Sequence, residues 1–143
     1  MNQQYIIHGF VAIEEVLPYI PDLKSKIFLD WEKKEWIVNL DSDRLRCFRQ
    51  NIICVVCGAQ GSFFLLEKQK NGGVGKPHLN LYSMVDGKRV MLTKDHIKPR
   101  SRGGKDNANN FQTMCITCNS LKGSKTLTIQ EIKDLRIKRG VRK

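Results

Sequence analysis

The 143-residue sequence predicts an α+β fold stapled by a metal. Three observations lead there. Short alternating or apolar stretches bounded by turn residues recur between residues 26 and 94, as strands do. Two stretches, one after Asp41 and one after Thr128, have capping residues and helical spacing of their apolar positions. Two Cys-x-x-Cys pairs, Cys54/Cys57 and Cys115/Cys118, stand far apart in the chain and together make one closed ligand set.

In chain order, residues 1–40 predict an N-terminal extension packed on the rest, and residues 41–143 the principal domain. Ala12 to Ile20 reads as a short helix cut off by Pro18 and Pro21, which lack the backbone N–H that a helix needs. Residues 26–31 and 35–40 read as two strands joined by a polar turn at Glu32-Lys-Lys. His8, Trp31 and Trp36 read as packing residues. Asp41 to Asn51 predicts a helix with Asp41 or Ser42 as N-cap and with Leu45 and Phe48 facing the core. Arg44, Arg46 and Arg49 then face solvent or a phosphate backbone. Cys47 has no Cys-x-x-Cys partner and reads as a small core residue.

Ser62 to Lys68 and His78 to Met84 predict strands, the second alternating so that Leu79 and Leu81 share a face. Asp86-Gly87 is a two-residue hairpin turn into Lys88 to Lys94. Between them, Asn71 to Pro77 is a glycine-rich connector. It lacks phosphate-loop spacing and leads into Pro77 and a strand rather than a helix. Thr128 and Glu131 form a capping-box signature for a last helix. Its apolar stripe is Ile129, Ile132 and Leu135, with Arg136 and Arg139 outside it, and a basic tail follows.

Four thiolates in two Cys-x-x-Cys pairs predict a tetrahedral structural zinc. A redox pair is the rival reading, and it leaves the second pair unexplained. The long gap between the pairs is no obstacle, because loop-closure cost grows slowly with length. No apolar run is long enough to span a bilayer, and the N-terminus lacks the basic and apolar regions of a secretory signal. The expectation is a cytoplasmic protein, where paired cysteines signal metal more than disulfide.

Charge is distributed unevenly. Residues 1–87 balance ten Lys and Arg against ten Asp and Glu, whereas residues 88–143 hold 15 against 4, so the whole net charge of +11 lies in the last segment. Such asymmetry points to a polyanionic partner, most simply a nucleic acid.

Within that segment stand Asp95-His96, Gly103-Gly104, Asn110-Phe-Gln, Cys115-x-x-Cys118-Asn119 and Lys122-Gly123. In order and spacing these resemble the HNH endonuclease family, in its four-cysteine zinc branch, from about Arg44 to Lys125. The family's last His is Asn119 here, a His-Asn-Asn variant. The resemblance implies a ββα-metal, treble-clef-like core: a hairpin strand ending at Asp95-His96, a loop, a second strand near Phe111 to Met114, and a helix starting near Cys115 to Cys118. The N-terminal strands and helix would be additions, and the upstream hairpin an insertion. The compact size and single core also resemble phage and mobile-element nucleases.

Phosphodiester hydrolysis needs an activated water and neutralisation of charge on the phosphate and the leaving oxygen. His96, as neutral imidazole, suits the general base. Asp95 offers a hard carboxylate oxygen and Asn119 a carbonyl oxygen for Mg²⁺ or Mn²⁺. By resemblance, Asn110 is the middle family residue, bracing the loop and orienting His96. Lys98, Arg100, Arg102, Lys105, Lys122 and Lys125 are candidate phosphate contacts. The predicted partner is DNA, with RNA open. Cutting both strands with one active site calls for a homodimer or two successive nicks. The reading from another class is a zinc-stapled module that binds nucleic acid or a host protein without cutting.

Overall fold

The computed structural model describes residues 5–21, 28–31, 36–70 and 77–141. The readings of the Trp31 and Trp36 side chains, the turn at Glu32-Lys-Lys, the connector at residues 71–76 and the last two tail residues lie outside the described residues.

A five-stranded antiparallel sheet runs in the order β1-β4-β5-β6-β7, and β2 pairs with β3 in a separate ribbon. The strands are β1 (Tyr5–Ala12), β2 (Phe28–Trp31), β3 (Trp36–Asn39), β4 (Phe63–Gln69), β5 (His78–Val85), β6 (Lys88–His96) and β7 (Phe111–Cys115). The helices are α1 (Asp43–Gln50), α2 (Ile116–Lys122) and α3 (Ile129–Lys138). The sheet and the four-cysteine cluster described below fit the expected α+β class.

Several local readings hold for the reasons that suggested them. Ser42 caps α1 by accepting from the Leu45 N–H, and Leu45, Cys47 and Phe48 are buried. Asp86 and Gly87 both take positive φ, 52° and 77°, the backbone a type I′ hairpin turn requires. Thr128 and Glu131 form the reciprocal capping box of α3. Leu79 and Leu81 lie together in the core with Phe64, Leu66, Leu92 and Met114.

Other expectations are corrected. Residues 13–15 and 17–19 are two short 3₁₀ turns rather than one helix, the second starting at Leu17 with Pro18 next. The reason is the proline: it suits the first turn of a new segment and cannot extend an old one. The upstream strands join the core sheet itself. Tyr82 pairs with Met91 and Leu92 with Cys115, so β4 and β5 continue the β6–β7 pair into one sheet. Tyr5–Ala12, which carries no strong alternation, is the edge strand β1 along β4, with an irregularity between Ile7 and Gly9. Val11, Val16, Ile20, Val38 and Leu40 of the extension enter the same core as Phe48 and Phe64. Arg136 is buried on α3 rather than outside it.

On the sheet's other face, Glu67 is buried and satisfied: its Oε1 accepts from Asn80 Nδ2 at 3.0 Å and from the Tyr82 hydroxyl at 2.5 Å. Burial, reinforced by that carboxylate, pushes the Tyr82 phenol up. Arg44, read as facing solvent or phosphate, turns inward instead. It donates to Asn80 Oδ1 and to the Leu79 carbonyl, both at 2.8 Å.

Candidate active site and metal centre

The two cysteine knuckles meet because backbone bonds hold them there. The first folds back on itself through Gly58 N–H to the Cys54 carbonyl and Cys54 N–H to the Ala59 carbonyl. Val55 N–H then reaches the Thr113 carbonyl on β7, and Thr113 Oγ1 donates to the Asn51 carbonyl at 2.6 Å. The second knuckle opens α2, with the Cys115 sulfur accepting from the Cys118 N–H at the N-cap. All four sulfurs lie within 4.8 Å of one another, and Cys57 and Cys115 are 3.7 Å apart. A tetrahedron with Zn–S bonds of about 2.3 Å has edges of about 3.8 Å, so the set fits zinc as it stands.

Hydrogen bonds from Cys115, then Cys118, bring the Cys57 thiol down to about 6, and Cys54 is lowered for the same reason. Cys115 and Cys118, the donors, are raised. Arg136 NH1 donates to the Cys118 sulfur at 3.2 Å, so α3 places a buried cation against the cluster, where it would offset part of the excess negative charge of four thiolates around a zinc.

β6 carries Asp95 and His96 to the strand end, and neighbouring residues on a strand turn to opposite faces. Asp95 turns toward α2. It is 6% exposed; Oδ2 accepts from Gln112 Nε2 at 2.9 Å and Oδ1 lies 3.3 Å from Lys122 Nζ. Asn119 reaches the same face of β6, donating Nδ2 to Thr93 Oγ1 at 2.8 Å. His96 turns to other neighbours. Its ring stands edge-on to Phe111, with centroids 5.1 Å apart, and Nε2 is 2.6 Å from Asp106 Oδ1. The imidazole holds the Asp106 carboxyl below the ordinary carboxylate range, so Asp106 is ionised and accepts from Nε2–H.

Asn110 cinches the loop between β6 and β7. Its Oδ1 accepts from Lys98 N–H at 2.8 Å, while Nδ2 donates to the carbonyls of Lys98 and Lys105 at 3.0 and 2.9 Å. Its own carbonyl accepts from Ile97 N–H, one residue beyond His96. Gly104 lies so close to the start of this loop that a Cβ would come within 1.7 Å of the Lys98 carbonyl oxygen. Gly104→Ala should therefore force the loop open at a cost of about 1–3 kcal/mol. A thermal melt reads that cost, and an unchanged transition would show that the loop can shift freely.

Lys98, Arg100, Arg102, Lys105 and Lys125 are exposed around this loop and the end of α2. Arg102 is tied by Nε to the Ser124 carbonyl at 3.1 Å, and Arg100 lies 3.8 Å from Asp106. Lys122 departs from the expectation of a phosphate contact. It is 1% exposed, and its ammonium donates to the His96 carbonyl at 2.9 Å as well as facing Asp95. The structure therefore brings Asp95, Lys122, Gln112 and Asn119 to the α2 side, and His96, Asp106 and Phe111 to another.

Asp106, Gln112 and Arg136 received no role from the sequence. For Asp106 a signal existed: it is the sole carboxylate between Asp95 and Glu131, in a loop otherwise full of cations. Such a lone acid is placed to find the nearest imidazole.

No curated protein and no solved structure matches the chain. A family model described as HNH endonuclease matches residues 84–125, a span from the end of β5 through β6, the loop, β7 and α2. Two of the four clustered cysteines fall inside that span, and the cluster is compatible with the match. Residues 84–125 thus match the HNH endonuclease domain.

Proposed function

We propose that the protein is a metal-dependent endonuclease that hydrolyses DNA phosphodiester bonds, with His96 as general base. The observation that carries this reading is the pairing of His96 Nε2 with Asp106 at 2.6 Å inside the family segment. An ionised carboxylate can only accept, so it selects the Nε2–H tautomer and leaves the Nδ1 lone pair for a water proton. Phe111 and Asp106 together fix the ring, so that the base is aimed before substrate arrives. The exposed cations around the loop, Lys98, Arg100, Arg102, Lys105 and Lys125, suit the phosphates flanking the cut.

Asp95 and Asn119 are the groups we assign to a hard divalent cation. Asp95 is a buried carboxylate already matched by one positive charge, the Lys122 ammonium, and Asn119 lies along the same strand face with an amide oxygen. Asp95 and Asn119 would hold Mg²⁺ or Mn²⁺, whose chemistry there is neutralising charge on the phosphate and the leaving oxygen. Asn110, by closing the loop on Lys98 and Lys105, braces the segment that follows His96.

The test is cleavage of supercoiled plasmid, single-stranded DNA and RNA, with and without Mg²⁺ or Mn²⁺. Metal-dependent nicking or linearisation of the DNA is the expected outcome. No cleavage by zinc-loaded protein would leave a basic zinc module that binds without cutting. Asp106→Asn tests the base directly. The amide can donate to Nε2 and so favours the other tautomer, and the cleavage rate should fall about 10–100-fold. Nitrogen NMR of the His96 ring should report the tautomer change. An unchanged rate with an unchanged ring spectrum would remove Asp106 from the mechanism.

A further inference from the structure

Lys122 is the most deeply buried cation among the described residues, 1% exposed, and it faces a carboxylate that is 6% exposed. A buried ion pair is costly to form and more costly to break from one side, because the remaining charge is left without a partner. Asp95 therefore needs a cation beside it at all times. In this structure that cation is the chain's own, with Lys122 Nζ 3.3 Å from Asp95 Oδ1.

We propose that Lys122 is a resident counter-ion that a divalent metal must displace from Asp95, so that this lysine sets the metal concentration at which the site loads. The inference rests on the reading of Asp95 as a metal ligand. Two features make the exchange feasible. The ammonium has a second acceptor, the His96 carbonyl at 2.9 Å, so it keeps a partner when Asp95 is taken from it. And Gln112 Nε2 holds the other carboxylate oxygen at 2.9 Å, so Asp95 stays oriented while the charge on Oδ1 changes hands. Lys122 sits on the last turn of α2, the helix that begins at the zinc ligand Cys115, which fixes its root relative to β6. Without the lysine, metal-free protein holds an unpaired buried carboxylate. With it, the zinc-loaded fold needs no second metal to balance Asp95, and that metal competes with an ammonium already in place.

The experiment uses the zinc-loaded full chain. Mn²⁺ binding is followed through the electron paramagnetic resonance signal of the free ion, and thermal melts are run with and without Mn²⁺. Lys122→Met should lower the melting temperature by roughly 10 °C in Mn²⁺-free buffer. Added Mn²⁺ should restore most of that loss and bind at least about tenfold tighter than to the unaltered protein, a preference of about 1.4 kcal/mol. Lys122→Arg, which keeps the charge, should bind Mn²⁺ within about threefold of the unaltered protein, since the competing cation remains. Asp95→Asn should abolish binding in both backgrounds, and the double variant Asp95→Asn with Lys122→Met should melt without any response to Mn²⁺. Equal Mn²⁺ affinity in Lys122→Met and unaltered protein, with binding still lost in Asp95→Asn, would overturn the role of Lys122 and leave Asp95 as ligand. Mn²⁺ binding that survives Asp95→Asn would instead overturn the ligand assignment itself. A Lys122→Met protein that fails to fold even with Mn²⁺ would overturn the exchange, because the metal would then be unable to replace the ammonium.

Discussion

His96→Ala should lower the DNA cleavage rate by about 10²–10⁴-fold, the usual contribution of a positioned general base, while leaving the fold in place. The ring's side-chain exposure is 21%, and its described contacts are Asp106 and the edge of Phe111. Losing it removes little packing and leaves Asp106, itself 44% exposed, free to hydrate. The melting temperature and zinc content should therefore stay close to those of the unaltered protein, which separates a chemical loss from an unfolded sample. The size of the drop also discriminates between bases. If a water reached the phosphate with another group taking its proton, alanine at position 96 would cut at near the original rate, and the imidazole would be demoted to a neighbour of Phe111. Asp106→Asn gives the graded counterpart, a smaller loss through the same ring.

Removing zinc should have the largest effect on the fold. Apparent zinc free energies in small four-ligand modules are roughly 10–16 kcal/mol, as large as the whole stability of a typical domain, about 5–15 kcal/mol. Here the ligands are not peripheral. Cys54, Cys115 and Cys118 belong to the same buried cluster as Phe48, Leu92 and Ile132. A metal held by the four cysteines would join the turn after α1, the end of β7 and the start of α2, and Arg136 would carry the link on to α3. Chelation or Cys115→Ser should abolish the cooperative thermal transition, read by calorimetry or circular dichroism, and cleavage should vanish with it. Survival of a sharp transition in protein shown to be free of zinc would reduce the cluster to an ornament on an independently stable sheet.

What the sequence revealed depended on the range of the interaction. Ser42, the Asp86-Gly87 turn and the Thr128/Glu131 box act within three or four residues, so the local pattern contained all of their physics. The cysteine cluster is long-range, yet legible, because few residue types bind zinc and their paired spacing is distinctive. Tyr5–Ala12 was illegible as an edge strand, since its partner β4 begins about fifty residues later and its own alternation is weak. The same holds for charge. Lys122, Arg136 and Arg44 were read as outward-facing because lone cations usually are. Each is turned inward by a partner that only the fold supplies: Asp95, the Cys118 sulfur and Asn80. The Asp95–His96 step shows the same limit at the site. Adjacency in sequence suggested one shared centre, and strand geometry sends the two side chains to separate neighbours.

The separation of the two cysteine pairs, 54 and 57 against 115 and 118, also dictates a timetable. On a growing chain the first pair leaves the ribosome long before the second, and two sulfurs alone cannot close the centre. Until residue 118 has emerged, the helix bearing Asn119 and Lys122 has no anchor beneath β6. Newly made protein consequently cannot close its four-sulfur centre until residue 118 has emerged, and no shorter nascent chain can present the assembled face.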